Sequence, residues 1–156
     1  MKKILISLMV SLSTAAFAGD KPLVGDIPAA SDRVTLAGAE LVIGGKRQQP
    51  QSVVFLDSLC PMPHWPDCAE KIEQLNGLYE TRGSEQWVAV VKSFYIDRQY
   101  VADFAERMKL KLPIVFDQDN SLFQAYKVYG NPYQVWLGRD GSIQYRGDSL
   151  KALGQL

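Results

Sequence analysis

The sequence predicts an α/β fold: a central mixed β-sheet with helices on both faces and a C-terminal β-hairpin. Three observations predict it. Compact apolar runs rich in β-branched and aromatic residues, "SVVFLDSL", "QWVAVVKSF" and "LPIVFD", have the length and composition of buried strands. Amphipathic helical patterns separate them, and a helix between two strands is the usual crossover that makes those strands parallel. Near the end, "YQVWLGRDGSIQYRG" holds two strand-like runs around Arg139-Asp140-Gly141, a hairpin signal that closes the sheet on an antiparallel edge.

The chain opens with "MKKILISLMVSLSTAAFAGD", where Lys2 and Lys3 precede an apolar run from Ile4 to Leu12 and a small-x-small site at Ala16-Phe17-Ala18. This pattern reads as a secretory signal peptide over residues 1–18, because the apolar run is too short to span a bilayer. Residues 19–33 carry Gly, Pro and Asp without apolar periodicity and are expected to form an extended lead-in to a domain over 34–156. "VTLAGAELVIGGKRQQPQ" reads as short strand material broken by glycines, and "SVVFLDSL" as a strand that ends at Cys60. In "DCAEKIEQLNGLYETRG", Ile72, Leu75, Leu78 and Tyr79 fall at helical spacing with Gly83 as the stop. Pro66 suits a first helical turn, Asp67 and Glu70 complement the positive end of the dipole, and Cys68 is placed in that turn. "DRQYVADFAERMKL" is amphipathic through Val101, Phe104, Ala105 and Met108, "NSLFQAYKVYG" gives a further helix, and "SLKALGQL" a short terminal one.

Cleavage after Ala18 takes 18 residues from 156 and leaves 138, the size of one domain with one core. The two lost lysines leave 15 basic against 17 acidic residues, a balance that favours neither nucleic acid nor an anionic membrane. Export has a sharper consequence, since thiols outside the cytoplasm persist as disulfides. Both cysteines and the only histidine lie in "CPMPHWPDC", residues 60–68, together with a methionine and three prolines. Rare residues gathered in one loop point to a site.

The chain resembles thioredoxin-fold proteins of the TlpA/ResA-like periplasmic redoxin group over roughly residues 34–150. The resemblance rests on "VVFLDSLCP" leading into the first cysteine, "WVAVVKSFYIDRQYVADFAERM", "LPIVFDQDNSLFQAYKVYGNPYQVWL" and the closing "GRDGSIQYRG". It implies a thioredoxin-like fold, a redox-active cysteine pair, a protein thiol or disulfide as substrate, and a membrane or periplasmic redox partner. It also implies that Pro132 in "GNPY" is the family's cis-proline, which with Asn131 shapes the substrate groove. The departures are specific. Seven residues rather than two separate the cysteines, Leu59 stands where a Trp is usual, and "MPHWP" accounts for about five inserted residues. Val54 replaces the buried aspartate that thioredoxin carries six positions before its first cysteine.

Disulfide exchange needs a thiolate that attacks a sulfur and a second thiol that releases the mixed disulfide. Cys60, at the junction of strand and helix, is the candidate nucleophile, favoured as an anion by backbone N–H groups; His64 would add to this if cationic and nearby, or is an exposed loop residue without a role. Cys68 is then the resolving thiol. Two alternatives stand beside this reading. One is a structural staple, although closing so short a loop is worth only ~2.5 kcal/mol. The other is a copper site in which Cys60, Met62, His64 and Cys68 supply the soft donors that suit Cu(I). Sco-type copper proteins share the fold, but their histidine comes from a distant loop. Zinc would lack a fourth ligand. Trp65 is either an apolar surface facing the substrate or a wedge that packs the loop onto the domain. Asp57, three residues before Cys60, stands where peroxiredoxins carry Thr or Ser and opposes peroxide chemistry. Glu70 and Lys71 are candidate proton carriers for Cys68 or simply an exposed helical face.

Overall fold

The computed structural model describes residues 20–83, 85–152 and 155, so the expected signal peptide lies outside the described residues. The elements run β1 (Ser31–Val34), β2 (Glu40–Ile43), β3 (Gln51–Leu56), α1 (Cys68–Glu80), β4 (Gln86–Lys92), α2 (Arg98–Arg107), β5 (Ile114–Asp117), α3 (Ser121–Tyr126), β6 (Tyr133–Leu137) and β7 (Ile143–Gly147). The main sheet has the order β5-β4-β3-β6-β7. β3, β4 and β5 are parallel, as helical crossovers require, whereas β6 runs antiparallel to β3 and β7 antiparallel to β6.

Strand pleat divides the core into two layers, because successive side chains point to opposite faces. Val54 and Leu56 of β3 pack with Ile72 and Leu75 of α1 and with Val101 and Phe104 of α2. On the other face Val53 and Phe55 meet Leu122, Phe123 and Tyr126 of α3 and Ile43 of β2. The expected mixed sheet with helices on both faces is therefore present. Local signals explain the helix ends: the Asp97 side chain accepts the Tyr100 N–H at 2.8 Å and starts α2. Asn76, buried on α1, donates to the Lys109 carbonyl and accepts the Lys111 N–H, which fixes α1 against the chain leaving α2.

The structure also departs from the sequence reading. β1 begins at Ser31, inside the stretch expected as lead-in, and pairs with β2 as a separate antiparallel hairpin. The remainder of the lead-in is pinned: Gly25 N–H donates to the Ile143 carbonyl and Ile143 N–H to the Asp26 carbonyl, both at 2.8 Å. This contact covers the start of the edge strand β7, which would otherwise offer unpaired backbone groups. Helix α1 stops at Glu80 rather than running to Gly83, and Pro66 lies before its N-cap Asp67. No helix forms over residues 149–152, and most of what remains of the expected terminal helix lies outside the described residues. The turn between β6 and β7 forms as expected, with Gly141 at φ +86°. A side chain there would also strike the Gly45 carbonyl, so the glycine is needed twice over.

Candidate active site

Strand β3 is buried along its whole length and delivers the chain to the carboxyl end of the parallel strands. There residues 57–60 form a turn closed by a hydrogen bond from the Cys60 N–H to the Asp57 carbonyl at 3.2 Å. Two further turns come next, Trp65 N–H to the Met62 carbonyl and Cys68 N–H to the Trp65 carbonyl, before α1 begins at Cys68. The chain thus folds back on itself and joins Cys60 to Cys68 in a disulfide with Cα atoms 6.0 Å apart.

This geometry refines the expectation for Cys60. The helix starts eight residues after it, so the Cys60 sulfur reaches the N-terminus of α1 through its bond to Cys68 and not through the chain itself. Cys68 itself stands in the first turn of α1, at the positive end of the helix dipole. Both cysteines are buried, Cys60 at 1% exposure and Cys68 at 0%. They belong to the same apolar cluster as Val54, Leu56 and Ile72, and the half-buried Trp65 packs against it. Trp65 therefore serves as the wedge of the loop, and it also lines a pocket between this loop and the proline loop.

Pro132 is buried and follows a cis peptide bond at Asn131, in agreement with the resemblance; a second cis bond joins Cys60 to Pro61. The Asn131 side chain connects the two loops, its Oδ1 accepting the Asp57 N–H at 3.0 Å, while its Nδ2 is buried without a partner among the described residues. Asp57 is 7% exposed. Its Oδ1 accepts the Leu59 N–H at 3.0 Å and its Oδ2 lies 3.7 Å from Lys92 Nζ. A carboxylate three residues before the cysteine is thus held by the turn and offset by a cation. The parallel register already implies the pairing, since Leu56 lies beside Val91 and the next residues are Asp57 and Lys92. Sequence reasoning named Asp57 but missed Lys92.

Of the remaining candidates, His64 is exposed and Met62 is half-buried, bridged to Trp65 across the loop. With both sulfurs bonded to each other, no set of three or more His, Cys, Asp and Glu side chains among the described residues is arranged around a common metal position. Lys71 Nζ lies 3.1 Å from Asp67 Oδ2 and holds that carboxyl below the usual range, so Lys71 serves its own helix. Glu70 is exposed in the first turn of α1. The pocket between the cysteine loop and the proline loop has a volume of about 280 Å³ and is bounded by Trp65, Phe123, Val128, Tyr129, Lys92 and Lys127 among others. A larger cleft of about 840 Å³ lies between the β1–β2 hairpin and β5, lined by neither of these loops.

A cysteine pair at the carboxyl end of β3, clamped beside a cis-proline loop on a five-stranded mixed sheet, is the arrangement of a thioredoxin-like fold. Solved structures bear this out. The chain is similar to StoA from Bacillus subtilis, at 26% identity and a TM-score of 0.65 over 78% of this chain and 88% of that one. A secreted Mycobacterium tuberculosis disulfide oxidoreductase, homologous to E. coli DsbE, superposes with a TM-score of 0.61 at 19% identity, covering 78% of this chain and 85% of that one. A thiol-disulfide oxidoreductase from Bacteroides fragilis gives 0.65 at 18% identity, covering 83% and 96% of the two chains. No protein-family model and no curated protein matches the sequence.

Proposed function

We propose that this protein is an exported, periplasmic thiol-disulfide oxidoreductase of the TlpA/ResA-like kind, exchanging a disulfide with a protein partner through Cys60 and Cys68. The observation that carries the reading is the disulfide itself: the two cysteines meet at the N-terminus of α1 and beside the cis-Pro132 loop. The oxidoreductases among its structural neighbours support it. The signal-peptide pattern read from the sequence of residues 1–18 and the persistence of disulfides outside the cytoplasm support the location.

In the reduced protein the Cys60 thiolate attacks one sulfur of the partner's disulfide; that bond breaks, and the partner's other sulfur leaves as a thiolate. Cys68, as a thiolate at the helix N-terminus, then attacks Cys60 Sγ in the mixed disulfide. The Cys60–Cys68 bond forms, the partner's second thiolate departs, and two electrons have passed to the partner. The reverse sequence oxidises a partner dithiol. Pro132 and Asn131 form the wall against which the partner's backbone lies, and Trp65 its apolar neighbour.

The test is a trap. Cys68→Ser should accumulate a covalent mixed disulfide between Cys60 and the partner, visible by mass spectrometry of the non-reduced protein, whereas Cys60→Ser should accumulate none. Absence of any adduct in Cys68→Ser, presented with periplasmic proteins in the disulfide state, would overturn the assignment.

A further inference from the structure

Disulfide exchange, on which this inference rests, meets an obstacle in the closed structure: an attacking thiolate has to reach a sulfur, and both cysteines are buried in a cluster on which Trp65 of the 61–67 loop packs. That loop is held lightly. Its prolines, His64 and Asp67 face solvent, and among the described residues its hydrogen bonds stay within the loop and the first turn of α1. Apart from the disulfide that ends it, the loop is fixed to the domain by the packing of Trp65, to which Met62 is bridged. Few buried contacts and no ladder to the main sheet are the marks of a segment that opens at low cost.

Trp65 occupies two positions at once. One side packs on the cluster that contains Cys60 and Cys68, and the other forms a wall of the 280 Å³ pocket. Opposite it stand Phe123, Val128 and Tyr129, an apolar lining, with Lys92 and Lys127 as the cations. Lys92 already faces Asp57, but Lys127 makes no ion pair among the described residues. Exposed aromatic residues lie on the connecting loops at this end of the sheet: Tyr129 at 83%, Phe94 at 52% and Tyr95 at 98% exposure. Exposed rings beside a concave site mark a surface that meets another chain.

We propose that this pocket takes a bulky apolar side chain from an extended protein segment that carries a carboxylate next to it, and that its entry displaces Trp65 and uncovers the disulfide. The carboxylate is assigned by charge: the lone Lys127 leaves the pocket cationic once Asp57 and Lys92 have neutralised each other. Substrate selection and exposure of sulfur then become one event. With Trp65 displaced, a substrate thiolate attacks Cys60 Sγ, the Cys60–Cys68 bond breaks, and Cys68 leaves as a thiolate that takes a proton from water. A second substrate thiolate attacks the substrate sulfur and releases Cys60. The substrate dithiol has lost two electrons and the protein disulfide has gained them.

Two measurements test this. The first tracks reduction of the disulfide by dithiothreitol, a small dithiol that does not fill the pocket, in the wild type, Trp65→Ala and Trp65→Phe. Loss of the indole should speed reduction on the order of tenfold, the equivalent of one aromatic packing contact, with Trp65→Phe between the two. Equal rates in all three folded proteins would overturn the cover. The second compares dithiol peptides identical except for Leu-Glu or Leu-Lys beside the cysteine. The acidic peptide should react about threefold faster, as expected for one partly exposed ion pair, and Lys127→Gln should abolish the difference. Indifference to peptide charge would overturn the occupant. If the wild type ignores both peptides while Cys68→Ser still traps a periplasmic partner, the occupant fails and the exchange reading stands; if the trap is empty as well, both fail.

Discussion

The hydroxyl of Tyr126 shows how a single group can be buried at a cost. Tyr126 lies 1% exposed on the α3 face of the sheet, its ring 5.4 Å from that of Phe55, and its oxygen has no hydrogen-bond partner among the described residues. Burial pushes its pKa up to about 12, against a smaller downward pull from the Arg47 guanidinium. A raised folded value means that the native state holds its proton longer than the unfolded chain, so this contribution to stability is intact below about pH 10 and is lost as pH rises towards 12. Tyr126→Phe removes an unsatisfied buried group without changing shape. It should leave stability unchanged or raise it by up to about 1 kcal/mol, read from urea unfolding at neutral pH, and should lessen the high-pH slope, to which Tyr145, also raised, still contributes. A loss of more than that would mean that the hydroxyl has a partner in solution. The cysteines belong to the same scale: their residue types and proximity were legible in "CPMPHWPDC", but their burial depends on Trp65 folding inward, which no local pattern specifies.

Among the elements, α3 is the one that the sequence explains least. It has six residues, its flanking Asn120 and Lys127 both adopt left-handed conformations, and Asn120 makes no side-chain cap. Its N-terminus is held instead by Asp117 at the end of β5, whose carboxylate accepts the N–H groups of Leu122 at 3.2 Å and Phe123 at 3.0 Å. Asn120 meanwhile ties the helix to the β4–α2 loop through the Ser93 N–H and carbonyl, both at 2.9 Å. Asp117→Ala should cost about 1–3 kcal/mol, because two buried donors lose their acceptor, and should loosen the wall of the pocket that α3 supplies. Burial raises the Asp117 pKa more than these hydrogen bonds lower it. The Asp117 contribution to stability should therefore be lost as pH rises from about 4 through the raised value, seen as the difference between wild type and Asp117→Asn in unfolding experiments across the acid range, since Asp67, Asp119 and Asp140, whose values are lowered, act in the opposite sense. A wild-type minus Asp117→Asn difference of opposite sign would show that the two N–H bonds outweigh burial. The insertion between the cysteines is an element in its own right: it replaces a direct strand-to-helix step with successive turns, so α1 starts at the second cysteine.

For the whole molecule, what was legible tracked periodicity. β3, β4 and β5 were visible as apolar runs, α1 and α2 as amphipathic stretches, and the closing hairpin from Arg139-Asp140-Gly141. What was hidden depends on contacts between distant segments. The docking of residues 25–26 on β7, the pairing of Asp57 with Lys92 and the clasp between Asn131 and Asp57 arise only when the sheet assembles. The last two converge on one end of the sheet, where the cysteine turn, the cis-proline loop and the end of β4 are fastened to one another. If this end performs the proposed exchange, the disulfide is more than a staple. The most direct measurement is the reduction potential of the Cys60–Cys68 pair, obtained by equilibrating the mature protein in dithiol buffers and counting alkylated thiols by mass spectrometry. A value above about −300 mV, within reach of biological exchange partners, is expected; a value well below that would mark a structural bond and exclude exchange.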